Sequence, residues 1–188
     1  MRAATAVRHR AVESLPALTR LFDPGLDRPA YSATLRGLLR ATVACERALR
    51  KQKAQWAGRG LDWGARLRKS QWLHEDLARL GVSPEPPPLP ASPELDDISC
   101  CVGCLYVLEG ATLGGCVIGK ALRRNARIPV QAQRYFTGYG ADTGARWTAF
   151  WLRIGAAHAW EAPARAAAAE TARATFDLYH ACLADAAP

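Results

Sequence analysis

Between Leu105 and Gly119 the chain reads LYVLEGATLGGCVIG, an apolar run long enough for a helix yet holding Gly110, Gly114, Gly115 and Gly119, with Gly103 just upstream. Each interior glycine costs a helix roughly 1 kcal/mol relative to alanine, so such a run needs a partner that gains from close approach to the backbone. A strand is the alternative. Against it, Gly110 and Gly114 lie one helical turn apart, as do Gly115 and Gly119, and the polar Glu109, Thr112 and Lys120 do not alternate with the apolar residues as a pleated strand requires. The spacing predicts a glycine-notched helix. From Gly110 to Gly115 it presents about 7 to 8 Å of bare backbone, a surface suited to a flat ligand or to a tightly crossing helix, and spacing allows both.

A chain of 188 residues fits one domain spanning its whole length, because at this size about 70% of the unfolded surface is buried. Its first residues, MRAATAVRHRAVESL, are charged throughout and contain no uninterrupted apolar core, which matches neither a secretory signal nor a membrane span. A cytoplasmic protein without membrane association is expected. Cys45, Cys100, Cys101, Cys104, Cys116 and Cys182 are then expected as reduced thiols packed as small apolar residues. The formal net charge of +8 suits nucleic acid, an acidic protein or an anionic ligand. Its distribution is diffuse, however, and the compact basic piece from Arg47 to Lys53 falls at the end of an expected helix, where a solvated face accounts for it. With no zinc-finger, RNP-like or glycine-lysine phosphate motif in the chain, nucleic-acid binding is not expected.

In chain order, Val7, Leu15, Leu18 and Leu21 with charges between them predict an amphipathic helix over Ala3 to Leu21, closed by Pro24 and Gly25. A long helix is expected from about Pro29, with Leu35, Leu38, Leu39, Thr42, Cys45 and Leu49 on one face and Gly58 and Gly60 marking its end. A third is expected from about Trp63 to Gly81, the latter a natural left-handed cap. From Ser83 to Pro93 the sequence SPEPPPLPASP reads as an extended, polyproline-like loop internal to the domain and running to about residue 95. Asp96, Asp97 and Ser99 offer N-caps for the glycine-notched helix, expected to run to about Asn125. After a loop with Pro129, Gly138 and Gly140, helices are expected over Thr143 to Trp160 and Arg165 to Ala184. The fold class is all-α, several helices around one core.

Among the four histidines, His9 stands out because Glu13, one turn on, shares its helix face. A carboxylate there holds the imidazole and fixes which nitrogen is left for a metal; from this helix alone, an exposed histidine in an ordinary surface pair is the simpler reading. Cys100, Cys101 and Cys104 suggest a redox pair or half a zinc site, but a structural zinc site needs a second pair that Cys116 alone does not supply. The chain has no Glu-x-x-His repeat for a di-iron bundle and no G-x-S-x-G for a serine hydrolase.

Two segments together resemble heme oxygenase, specifically the bacterial type that accompanies bacteriophytochromes. RAATAVRHRAVE, residues 2 to 13, resembles that family's proximal helix, and YVLEGATLGG, residues 106 to 115, its distal helix; YFTGYGADTGARWTAF and ATFDLY support the match in the family's order. The resemblance implies that His9 is the axial iron ligand with Glu13 behind it, and that Gly110, Gly114 and Gly115 let a kinked helix lie close over the heme. It further implies that Arg2, two turns before His9, pairs with a heme propionate, with Arg146 and Arg153 as further basic candidates and Tyr106 as a polar group near the site. Many family members carry an aspartate directly after the first distal glycine, anchoring the water that delivers protons; here Ala111 stands there. Tyr106 and Glu109 are the nearby polar groups.

The activity this implies is oxidative cleavage of heme to biliverdin, carbon monoxide and iron. Heme is both cofactor and substrate, and the protein supplies binding, orientation and electrostatics. Oxygen and electrons are required too, the latter from a separate reductase or ferredoxin because the chain has no flavin or nucleotide motif, and a basic surface suits an acidic donor. A bacteriophytochrome is an implied recipient of the biliverdin. The alternatives are a non-catalytic heme or tetrapyrrole-binding protein of the same fold, with Ala111 as the sign of lost chemistry, and a structural helical protein whose glycines serve helix crossing.

Overall fold

The structure is a computed structural model and describes residues 1–57, 63–83 and 89–186. The described residues form helices and turns with no strand: α1 (Arg2–Glu13), α2 (Pro16–Thr19), α3 (Arg28–Lys51), α4 (Lys53–Ala57), α5 (Lys69–Arg79), α6 (Ile98–Leu122), α7 (Arg134–Thr137), α8 (Thr143–Ala157) and α9 (Ala162–Ala184). The all-α expectation holds.

Several boundaries differ from those read in the sequence, each for a local reason. The first helix stops at Glu13 rather than Leu21, because Leu15 precedes Pro16 and is extended, with φ −64° and ψ 140°; the proline ring disfavours the α conformation in the residue before it. Helix α5 begins at Lys69, not Trp63, because its first turn is capped from another helix: the buried Glu46 carboxylate accepts the Lys69 and Ser70 backbone N–H groups at 2.7 and 3.2 Å. Its end is as expected. Gly81 has φ 72°, and the Val82 N–H returns to the Leu77 carbonyl at 3.0 Å, a closure that favours glycine at the left-handed position. Asp97 caps α6 by accepting the Cys100 N–H at 2.8 Å. The helix ends at Leu122, and Asn125 instead bridges the following turn to the Leu26 carbonyl. The expected loop after it contains α7, whose start is capped by buried Asp76. Gly58 and Gly60, and positions 84–88 of the proline-rich segment, lie outside the described residues; 89–97 carry no helix or strand.

At the centre lies α6, packed most extensively on α9, which also covers α1 and α3; α7 and α8 flank α6. It is the one helix among the described residues long and apolar enough to cross a bilayer, and more than half of its most apolar stretch is buried inside the protein. The expected face of α3, Leu35 through Leu49, is buried in the same core. All six cysteines are free thiols, and Cys45, Cys101, Cys104 and Cys182 are buried as small core residues.

Close helix crossing accounts for some of the α6 glycines. A Cβ on Gly103 would run into the Ala168 carbonyl oxygen of α9, and one on Gly119 would meet the Phe136 carbonyl oxygen of α7 at 3.0 Å. Around Gly114 the space is open, with nothing within 4 Å of an added Cβ.

Candidate functional site

The glycine-notched helix turns two different faces to its surroundings. Tyr106, Gly110, Leu113, Gly114 and Val117 recur at threes and fours and so share one side. On that side Tyr106 and Gly110 are half-buried, Gly114 is exposed, and Leu113 and Val117 are 37% and 58% exposed. From Leu113 to Val117 an apolar, side-chain-poor stripe thus lies uncovered on the central helix of the core. Gly115 is placed differently from Gly114: it is buried, with the Phe136 backbone 3.7 Å from an added Cβ.

On α1, Thr5 and Val12 are buried, which leaves His9 on the flank of the helix, its ring edge-on to Phe176 of α9 at 5.3 Å. The His9 Nδ1 lies 3.1 Å from Glu13 Oε2, and the two side chains are 50% and 59% exposed. With Nδ1–H directed to a carboxylate, the Nε2 lone pair is the one left for a metal. Both α1 and α6 lean on α9, so one helix supports both the helix of His9 and the helix of the open stripe. Arg2 is exposed and two turns before His9, on the same flank.

The remaining expected residues divide. Tyr106 packs against Trp147 and Trp151, ring centroids 5.8 and 6.0 Å away. Arg153 is exposed on α8. Arg146 is exposed, with its guanidinium over the Tyr139 ring, 4.5 Å from the centroid. Glu109 is turned inward from the stripe and is 1% exposed. Its Oε1 accepts from Lys69 Nζ at 2.5 Å and from the Tyr139 hydroxyl at 3.0 Å, while Oε2 accepts from Arg66. Lys69 is spent in turn on Glu109, the Arg66 carbonyl at 3.1 Å and the Tyr139 oxygen at 3.3 Å. Burial pushes the Lys69 ammonium below its ordinary range while Glu109 pulls it back up; burial, reinforced by Glu109, pushes the Tyr139 phenol up. All three ammonium hydrogens of Lys69 thus have an acceptor inside the fold.

Sequence reasoning did not single out Arg66, Lys69 or Tyr139, which come from two separated segments, nor Arg165. Arg165 lines a concavity of about 270 Å³ with Met1, Trp151, Gly155, Trp160 and Ala168, where the start of α1 meets α8 and α9. That places Arg165 near the Arg2 end of α1. A larger concavity, about 570 Å³, lies between α3 and the end of α9, lined by Arg28, Arg36, Arg40 and Asp185 among others; none of the expected site residues borders it.

Among the described residues, no group of three or more His, Cys, Asp or Glu side chains comes together as a metal cage. A lone axial histidine suits a metal whose other positions a macrocycle fills, and a bare, apolar helix face suits the flat macrocycle itself. The residues present fit heme.

Comparison with known proteins agrees with this geometry. The family model described as heme oxygenase matches residues 1–185. A heme oxygenase of Xanthomonas campestris pv. campestris is 35% identical over 164 residues, which cover 85% of this chain and 92% of that protein. Heme oxygenase from Leptospira interrogans superposes with a TM-score of 0.77 at 16% identity, over 98% of this chain and 97% of the other. The NO- and CO-bound heme oxygenase from Neisseria meningitidis gives 0.79 at 21% identity, over 98% and 88%; at such identities both show the shared fold. By the extent of the family match and the identity to its Xanthomonas relative, the chain belongs to the heme oxygenase family.

Proposed function

We propose that this protein binds heme between the His9 flank of α1 and the open stripe of α6 and cleaves it to biliverdin, carbon monoxide and ferrous iron, using oxygen and electrons from an external reductase or ferredoxin. The observation that carries this is the uncovered stripe through Gly114, an apolar surface without a protein neighbour on the helix that otherwise forms the core. Bound heme supplies both the iron centre that handles oxygen and the ring that is cut.

The chain's own residues supply position and environment. His9 would hold the iron through Nε2 while the Glu13 carboxylate accepts the Nδ1–H hydrogen bond, which keeps the ring oriented and raises its basicity as a ligand. Gly114 lets the helix backbone approach a planar ligand where a methyl group would hold it away. Leu113 and Val117 flank that backbone and exclude water from the ligand face. Arg2 and Arg165 present guanidinium groups suited to propionate carboxylates. The likeness of YVLEGATLGG to the bacteriophytochrome-associated type favours a cytoplasmic role in which the biliverdin becomes a photoreceptor chromophore.

Heme titration followed by reduction in air tests the reading. A one-to-one complex with a histidine-ligated spectrum is expected, giving way to biliverdin absorption on reduction. His9→Ala is expected to lose that spectral signature. Stable heme binding without ring opening would instead make the protein a carrier or sensor.

A further inference from the structure

At the Gly110 end the open stripe of α6 is closed by a side chain of α8, and a buried ion cluster lies behind that side chain. An added Cβ on Gly110 would meet Trp147 Cζ3 and Cη2 of α8 at 3.9 Å, so the indole edge already covers this glycine, whereas one turn on Gly114 is open. Trp147 is braced by other rings: Phe150 is stacked at 5.9 Å, Trp151 lies edge-on at 5.6 Å and Tyr106 at 5.8 Å.

The residue before Trp147 is gripped twice by the residue before Gly110. Arg66, paired to Glu109, donates its other terminal nitrogen to the Arg146 carbonyl at 3.2 Å. Tyr139, hydrogen-bonded to Glu109, carries the Arg146 guanidinium on its ring. Arg66 also lies over the Phe150 ring, 5.6 Å from its centroid. Glu109 thereby fixes where residue 146 sits, and the ring of residue 147 follows onto Gly110.

We infer that Trp147 is the wall that limits how far heme slides along α6 toward Gly110, and that Glu109, acting through Arg66 and Tyr139, is its positioning residue. This rests on the heme reading above. Because the wall sets which edge of the macrocycle lies against Gly114, it is a determinant of which meso carbon is attacked. The wall is sterically rigid where a propionate contact is not: removing a guanidinium weakens an ion pair, whereas removing the indole opens space that the ring can enter.

Two readouts test this on the heme complexes of the parent, Trp147→Ala, Trp147→Phe, Glu109→Gln and Arg66→Met. The first, made without turnover, is the heme-methyl pattern in the proton NMR spectrum of the cyanide-ligated ferric complex, which reports in-plane seating. The second is the ratio of biliverdin isomers. Trp147→Ala is expected to change both, and Glu109→Gln and Arg66→Met are expected to shift the methyl pattern in the same direction while histidine ligation persists. A Trp147→Ala complex with the parent's methyl pattern overturns the wall. If Trp147→Ala does not fold, Trp147→Phe decides, an unchanged pattern again overturning it. A Trp147 effect that neither Glu109→Gln nor Arg66→Met reproduces overturns the positioning role, as does a lower melting temperature with unchanged seating. Failure of the parent to take up heme at all is seen in the initial titration and counts against the heme reading itself.

Discussion

Glu46 and Asp76 are both fully buried acids, and each spends its carboxylate on the start of a helix other than its own. Asp76 accepts the Arg134 and Tyr135 N–H groups at 2.7 and 2.8 Å, satisfying two donors that the first turn of α7 leaves free. Burial raises its pKa from about 3.8 to about 6, with the Tyr135 and Arg134 N–H groups pulling the other way. The native state therefore holds the Asp76 proton more tightly than the unfolded chain does. Between those two values the stability contributed at this site falls as pH rises, and outside them it is flat. The full effect is up to about 3 kcal/mol. Denaturant curves taken from pH 3 to pH 8 (about that range spans both protonation states) are expected to show this slope in the parent and not in Asp76→Asn. Parallel pH profiles for the two proteins would rule it out.

Within the single element α6, glycines of identical composition do different things, and substitution separates them. Gly103→Ala drives a methyl into the Ala168 carbonyl of α9, and overpacking at a closed crossing is expected to cost about 3 kcal/mol or more. Gly114→Ala adds its methyl in open space and gains helix propensity, so the heme-free protein is expected to be up to roughly 1 kcal/mol more stable. Heme binding is expected to respond the opposite way, weakened or re-seated by Gly114→Ala because the methyl then lies on the ligand face. Denaturant melts of the two heme-free variants, with heme titrations of each, check this. A Gly114→Ala protein less stable than the parent, with unaltered heme affinity, would remove the glycine from the ligand face.

Across the whole molecule, α1 is packed less extensively than α6, the other helix proposed to hold the ligand. It is tied to α9 by the packing of Thr5 and Val12 and by an exposed pair in which Arg8 Nε donates to both Asp177 oxygens at 2.8 and 2.9 Å. Exposed pairs of this kind contribute little, about 0 to 1 kcal/mol. Heme coordinated by His9 and seated on α6 would join the two helices directly. Saturation at about 100 times the dissociation constant is expected to raise global stability by about 2.7 kcal/mol. Hydrogen exchange is expected to slow most in Arg2–Glu13. Protection confined to α6, with α1 exchanging as in the heme-free protein, would break the link between His9 and the bound ligand.

The sequence by itself determined the helical architecture, because the periodic apolar positions of α3 and the caps at Asp97 and Gly81 act over a single turn or a few. It marked His9 with Glu13 for the same reason, since residues four apart on a helix meet whatever the rest of the chain does. It also located the glycine cluster, while leaving its purpose open between crossing and ligand. Only the tertiary structure decided that: Gly103 and Gly119 face carbonyl oxygens of neighbouring helices and Gly114 faces open space, a division set by what packs on each side of α6. The end of α1, the start of α5 and the whole of α7 likewise hinge on groups the local pattern did not weigh, Pro16 in the first case and buried carboxylates from distant helices in the others. The cluster of Arg66, Lys69, Glu109 and Tyr139 is the furthest from legible. Its members come from three stretches tens of positions apart, Arg66 with Lys69, Glu109, and Tyr139, and burial makes them a unit because an ionised side chain leaves water only where partners meet all its hydrogen-bonding groups.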